Sequence, residues 1–202
     1  IATFVSIVVI VGLLLVNILA IKKRPSVDYD LEKSIAVLPF KYLSENPEQQ
    51  YQADGVMDEI LHNLALIGDL HVLARTSVEQ YRGTEKTAQE IGNELDVAYL
   101  LEGTFQKYGE SVKMIVQLIR SLDGGHVWSN MYEREWKDIF NVQSEVAQTI
   151  AQELYAEITP EEKQLIQKTP TTSLTAYDYY QRGQEQYWNY RLEGDRTFLV
   201  AA

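Results

Sequence analysis

The chain contains no cysteine. Disulfide bridges, thiolate nucleophiles and cysteine-based zinc sites are excluded, while the compartment stays open, because a domain with a full core needs no disulfide outside the cytoplasm. Positive charge is also scarce. After Arg24 there are 15 basic against 29 acidic residues, a net charge of −14. No direct nucleic-acid contact is expected from this segment, since neutralising phosphates takes a basic patch. The acidic balance favours a soluble, self-repelling surface. Phosphate-cradling glycine motifs are missing: neither G-x-x-x-x-G-K-[ST] nor G-x-G-x-x-G occurs. The three histidines, His62, His71 and His126, are far apart and form no H-x-x-x-H pair. Ser77 lacks the glycines of a nucleophile elbow. The pairs Asp58-Glu59 and Glu161-Glu162 point different ways from helices and read as solvated faces. No catalytic residue, metal or cofactor is expected.

What is present begins with Ile1–Ile21, a run without a charged residue, followed at once by Lys22-Lys23-Arg24. A helix of that length reaches ~31 Å, close to the ~30 Å hydrocarbon core of a bilayer. The run has no basic segment ahead of it and no small-x-small cleavage site behind it. It is expected to be a transmembrane anchor that continues upstream, rather than a cleaved signal. Residues 22–33 are expected to be a juxtamembrane linker. Lys22, Lys23 and Arg24 draw the following segment toward the cytoplasm by the positive-inside rule.

Downstream, Ser34–Phe40 is an apolar run closed by Pro39 and suits a buried strand. Asn46-Pro47-Glu48-Gln49 offers a helix start, and Val56, Met57, Ile60, Leu61, Leu64 and Ile67 recur at helical spacing as far as Gly68, with Gly55 a point of division. Leu70–Ala74 is a second short strand. Thr87-x-x-Glu90 is a capping box opening a short helix. Val97–Lys107, Ser111–Arg120 and His126–Trp136 read as three strands, the last two joined by a two-residue hairpin at Asp123-Gly124. Asp138 is expected to cap a helix carrying Ile139, Val142, Val146, Ile150, Leu154 and Ile158 on one face. The expected fold class is α/β, a mixed sheet with element order β-α-β-α-β-β-β-α. One transmembrane helix precedes it and α-helices of a repeat follow: Thr159-Pro160-x-Glu162 starts one helix, and the aromatic-rich Leu174–Leu192 another.

Ser34–Phe40, Tyr51–Gly55, Val72–Ser77, Ala98–Gly103, Gln117–Arg120, His126–Trp128 and Asp138–Gln143 follow one another in the order and spacing of TolB-like (FlgO-like) domains, which the chain resembles over about residues 33–158. Such domains are accessory parts of bacterial membrane-bound regulators. The domain is set at 34–158. The continuation at 159–202, with Ala176–Gly183, resembles the entry into tetratricopeptide repeats, where Gly183 falls at a small position and Tyr179 at a large aromatic one. Arg75–Tyr81 and Ile158–Leu165 resemble the Bacteroidetes-type subset with an AraC-like helix-turn-helix upstream. The resemblance implies a cytoplasmic N-terminus and places this domain in the periplasm, on an inner-membrane, single-pass protein, against Lys22, Lys23 and Arg24.

A sensory or protein-interaction region of a transcriptional regulator is the expected function, with a protein partner held by the repeat helices, the membrane engaged by 1–21, and a homodimer within reach. The alternatives are the regulatory region of an adenylate or guanylate cyclase, and a passive envelope scaffold. Contacts to a ligand or partner are expected at the strand-to-helix turns, on Asp54, Arg75, Thr76 and Glu102. The structural alternatives are that Asp54 only caps a helix and that Arg75 pairs with Glu102.

Overall fold

A computed structural model describes residues 31–43 and 47–194. The expected anchor 1–21, residues 22–30 of the linker, Asn46 and residues 195–202 lie outside the described residues. Where the linker is described it is not extended: Leu31–Lys33 forms a 3-10 turn leading directly into the sheet. Among the described residues no helix is long and apolar enough to cross a membrane.

The molecule is a mixed α/β structure. Strand β1 (Ser34–Val37) is buried throughout, as expected of a strand flanked on both sides. It pairs in parallel with β3 (His71–Val72) and with β4 (Tyr99–Tyr108). Beyond Pro39 the chain returns to the same side of β4 as a further short strand, β2 (Lys41–Tyr42), also parallel. β5 (Ser111–Arg120) and β6 (His126–Glu135) complete an antiparallel meander, giving the order β3-β1-β4-β5-β6 with β2 beside β4.

The helices are α1 (Gln50–Ala65), the four-residue α2 (Arg75–Val78), α3 (Ala88–Leu95), α4 (Ile139–Glu153), α5 (Pro160–Ile166) and α6 (Leu174–Glu193). Neither β2 nor α2 is foreshadowed by periodicity, because two and four residues carry too little pattern.

Two apolar layers flank the sheet. On one face Val37, Phe105, Met114 and Val116 meet α1 and α4 through Val56, Ile60, Val146 and Ile150. On the other, Ala36, Leu38 and Leu100 are covered by Val78, Tyr81 and Ile91. Gly103 lets the Phe40 ring lie on β4: a Cβ there would stand 2.6 Å from the ring.

Thr87 and Thr159 both form complete capping boxes, with Glu90 and Glu162 reaching back. Asp138 does not cap α4 through its side chain; a 3-10 turn, Trp136–Asp138, feeds the helix instead. α4 stops at Glu153, short of Ile158, where Tyr155 adopts a positive φ of 52°. The β5–β6 connection is also longer than a two-residue hairpin. Arg120 N donates to Gly125 O at 2.9 Å, Gly124 N donates to Arg120 O at 2.9 Å, and the register slips at Leu118/Ile119.

Candidate interaction site

α1 does not break at Gly55. The glycine is where α6 crosses: an added Cβ would stand 2.4 Å from Gln181 Nε2 and 2.6 Å from its Cγ. One turn toward the N-terminus of α6, Tyr177 is buried with its ring centroid 4.7 Å from Phe140 and 5.8 Å from Trp136, and its hydroxyl accepts from Gln143 Nε2 at 3.0 Å. Tyr51 Oη donates to Asp178 Oδ1 at 2.6 Å, and Arg182, bonded to Asp178, lies 4.9 Å over the Tyr51 ring. The aromatic stripe of α6 therefore divides. Tyr177 belongs to the core, while Tyr179, Tyr180 and Tyr187 face outward at 71%, 58% and 43% exposure.

Further along the same seam, α1, α2 and α6 enclose a cavity of about 220 Å³ lined by Asp54, Arg75, Glu79, Arg82, Glu185 and Trp188, among others. Arg75 is its hub and is buried at 6% exposure. Its Nη1 bonds Asp58, its Nε donates to Glu79 Oε2 at 3.3 Å, and its Nη2 is 3.6 Å from Asp54 Oδ2. The guanidinium also lies 4.6 Å over the Trp188 ring, a cation–π contact that ties α6 to the ion cluster. Arg82 grips Asp54 with a fork of two bonds at 3.0 Å each and also pairs with Glu79. Gln50 Nε2 bridges Phe40 O and Asp54 Oδ1 at 2.8 and 2.7 Å, linking the cluster to the end of the first strand segment.

Three carboxylates thus share two guanidinium groups, and the partial mismatch has electrostatic consequences. Burial pushes the Asp58 carboxyl up to about 6; the Arg75 charge opposes this, and Asp54 and Glu79 add to it. Burial likewise raises Glu185, with the Asp54 charge adding. The cluster contains no nucleophile paired with a base. Its chemistry is that of ion pairing and of a polar lock between helices. Among the described residues no group of three or more His, Asp or Glu could hold a metal ion.

Of the expected contact residues, the fold brings together two. Asp54 and Arg75 share the cluster, and Asp54 sits inside α1 rather than capping a helix. Arg75 does not pair with Glu102. Thr76 is exposed on α2 beside the cluster. Glu102 is on β4 opposite Gln117, lining a separate hollow of about 270 Å³ with Lys41, Lys86 and Ile115; burial raises its carboxyl, opposed by His126.

Glu79 and Arg82 carry no sequence expectation of a site, Asp58 is expected to be solvated, and Trp188 is marked only as part of the aromatic-rich helix. A signal existed: Asp54/Asp58 and Arg75/Glu79 are i,i+4 pairs, and Glu79/Arg82 is an i,i+3 pair, so each set shares a helix face. That the faces oppose one another was not written in the spacing.

Residues 31–153 match the HilA/YgeH-like transcriptional regulator family, second domain, over nearly the span in which the TolB-like resemblance was read. Over 165 residues the chain is 34% identical to "Putative adenylate cyclase 3" of Rhizobium meliloti (strain 1021), covering 82% of this chain and 28% of that protein, so it spans little more than a quarter of that relative's length. Similar solved structures include lipoprotein GNA1162 from Neisseria meningitidis, at 19% identity and TM-score 0.46, covering 59% of this chain and 96% of that one. TolB from Acinetobacter baumannii is another, at 12% identity and TM-score 0.45, covering 60% and 28%.

Proposed function

Because the chain belongs to the HilA/YgeH-like transcriptional regulator family, carrying its second domain, we propose that it is the non-catalytic sensory and protein-interaction region of a single-pass, membrane-bound transcriptional regulator. Ile1–Ile21 is the anchor in the inner membrane, and the α/β domain stands in the periplasm. A DNA-binding module outside these 202 residues, AraC-like by the resemblance noted above, gives the output. The observation that carries this reading is a regulator-family domain preceded, across the nine residues 22–30, by an uncharged run long enough to span a bilayer.

A signal requires two states of different free energy that a ligand or partner distinguishes. The α6 seam supplies such an element: a helix held to the domain by one buried tyrosine, two cation–π contacts and the polar bonds of Tyr177 and Asp178. Tyr179, Tyr180 and Tyr187 give its outer face aromatic area for a protein partner, as the first helix of a tetratricopeptide array would.

The test has two parts. Ser26→Cys in the full-length protein, probed with a membrane-impermeant maleimide, is labelled before the inner membrane is breached if the domain is periplasmic. Labelling only afterwards reverses the orientation in favour of Lys22-Lys23-Arg24. Trp188→Ala, which loosens α6, changes transcription from the regulated promoter. Unchanged transcription, with α6 shown to be released, favours a passive scaffold.

The relative named as a putative adenylate cyclase favours a second reading, the regulatory region of a nucleotide cyclase. Formation of cyclic AMP or cyclic GMP by membranes containing the full-length protein decides for it.

A further inference from the structure

Among the described residues, Leu122 and Tyr155 are the most exposed large apolar side chains, at 84% and 88%. They are not scattered. Both stand at one groove of about 630 Å³, together with Glu32, Lys33, Asp96 and Arg120. Tyr155 is also conformationally out of place. It and Asp96, at φ 52° and 53°, are the non-glycine residues with positive φ in the described chain, and both line this groove. Aspartate tolerates that region; a tyrosine there is strained where glycine would not be, so its side chain, not its backbone, explains its presence. Leu122 fills a turn position where a polar residue would cost nothing, and its carbonyl is fastened to α3 by Gln89 Nε2 at 3.1 Å.

We propose that this end of the domain rests on the lipid surface, with Leu122 and Tyr155 inserted at the headgroup boundary. The inference rests on the reading of Ile1–Ile21 as an anchor and deepens it. Two observations, with the chemistry of the two side chains, select lipid as the occupant. First, the described chain meets this groove at Glu32 and Lys33, and only the ten residues 22–31 separate Glu32 from the apolar run, a reach of at most ~36 Å. Second, β4 and β5 run away from it for ten residues each, which puts the Gly109-Glu110 turn ~30 Å farther off and makes the groove the near end. Tyrosine and leucine together suit a boundary that is wet on one side and apolar on the other.

The absence of cysteine from the chain permits a direct test. The full chain is reconstituted into phosphatidylethanolamine/phosphatidylglycerol vesicles with an environment-sensitive fluorophore at L122C, Y155C or, as the far-end control, E110C. Vesicles carrying a shallow nitroxide lipid are expected to quench the first two probes at least about twofold more than the third. Equal quenching at all three sites, with the chain still floating with the vesicles, overturns the proposal and leaves the anchor intact. A blue-shifted probe at 122 or 155 without lipid quenching also overturns it, since protein, either residues 22–30 or a second copy, then covers the groove. If the chain is released by alkaline carbonate, the anchor reading fails and this inference fails with it.

Discussion

Replacing Gly55 by alanine should destabilise the protein, against the usual sign for a helix interior. In an unobstructed helix, Gly→Ala stabilises by about 0.8–1 kcal/mol through helix propensity. Here the new methyl would meet three atoms of one buried side chain: Gln181 Nε2 at 2.4 Å, Cγ at 2.6 Å and Cδ at 2.7 Å. Because the overlap includes the Cγ, turning the end of the amide does not relieve it, and Gln181 must leave its place on α1. Overpacking of this kind costs ~1–3 kcal/mol, enough to cancel the propensity gain and leave the variant ~0–2 kcal/mol less stable. Gln181 sacrifices little itself, since neither its Nε2 nor its Oε1 has a hydrogen-bond partner. Q181A is thus expected to be near neutral, as removing an unpaired buried polar group can be. The double variant G55A/Q181A should then recover the propensity gain and exceed the wild type by about 0.5–1 kcal/mol. Urea unfolding of the four proteins closes the cycle, with a coupling of ~1–3 kcal/mol expected between the sites. Amide exchange in α6 should accelerate in G55A and return in the double variant. A G55A protein that is simply stabilised by about 1 kcal/mol, with α6 exchange unchanged, would refute the packing of α6 on α1.

Asp58 should make the protein less stable as pH rises. Its carboxyl is raised from 3.8 to about 6 in the folded state, so the folded protein holds the proton more tightly. Its contribution is greatest below about pH 4, declines as pH rises toward about 6, and is constant above. The full shift corresponds to roughly 3 kcal/mol, reduced to ~1–2 by the side chain's 28% exposure. D58N should therefore gain that amount at pH 7 and nothing near pH 4 in parallel denaturant titrations; a loss at pH 7 would count against the cluster as drawn. R75A should cost ~3–5 kcal/mol, because Asp54, Asp58 and Glu79 would lose a shared cation at a largely desolvated site, and Asp58 should titrate still higher by NMR. T159A should cost about 1 kcal/mol by thermal denaturation and loosen Gly68, whose N–H is held at 2.9 Å by the capping-box partner Glu162.

Local chemistry alone announced several elements. Thr87-x-x-Glu90 and Thr159-Pro160-x-Glu162 act over one helical turn, so both caps could be read directly and both are formed. The alternation of Val112, Met114, Val116 and Leu118 with polar neighbours marked β5 from Ser111 to Arg120, because a half-covered strand must repeat every two residues. What depends on meeting another part of the chain was illegible. Gly55 read as a helix divider and turned out to be a crossing point for α6. Asp58 read as solvated and is a half-buried partner of Arg75. Glu102 and Arg75, opposite charges at neighbouring strand ends by sequence, lie in different hollows.

The sequence by itself determined the acidic charge, the absence of thiol chemistry, the uncharged run at 1–21 and the α/β class, since each follows from composition or from periods of two and 3.6 residues. Only the tertiary structure decided which carboxylates share Arg75, which tyrosine of α6 is core, and that Leu122 and Tyr155 stand at one groove. These pairings join positions tens of residues apart, and no local period specifies which distant face a side chain will meet.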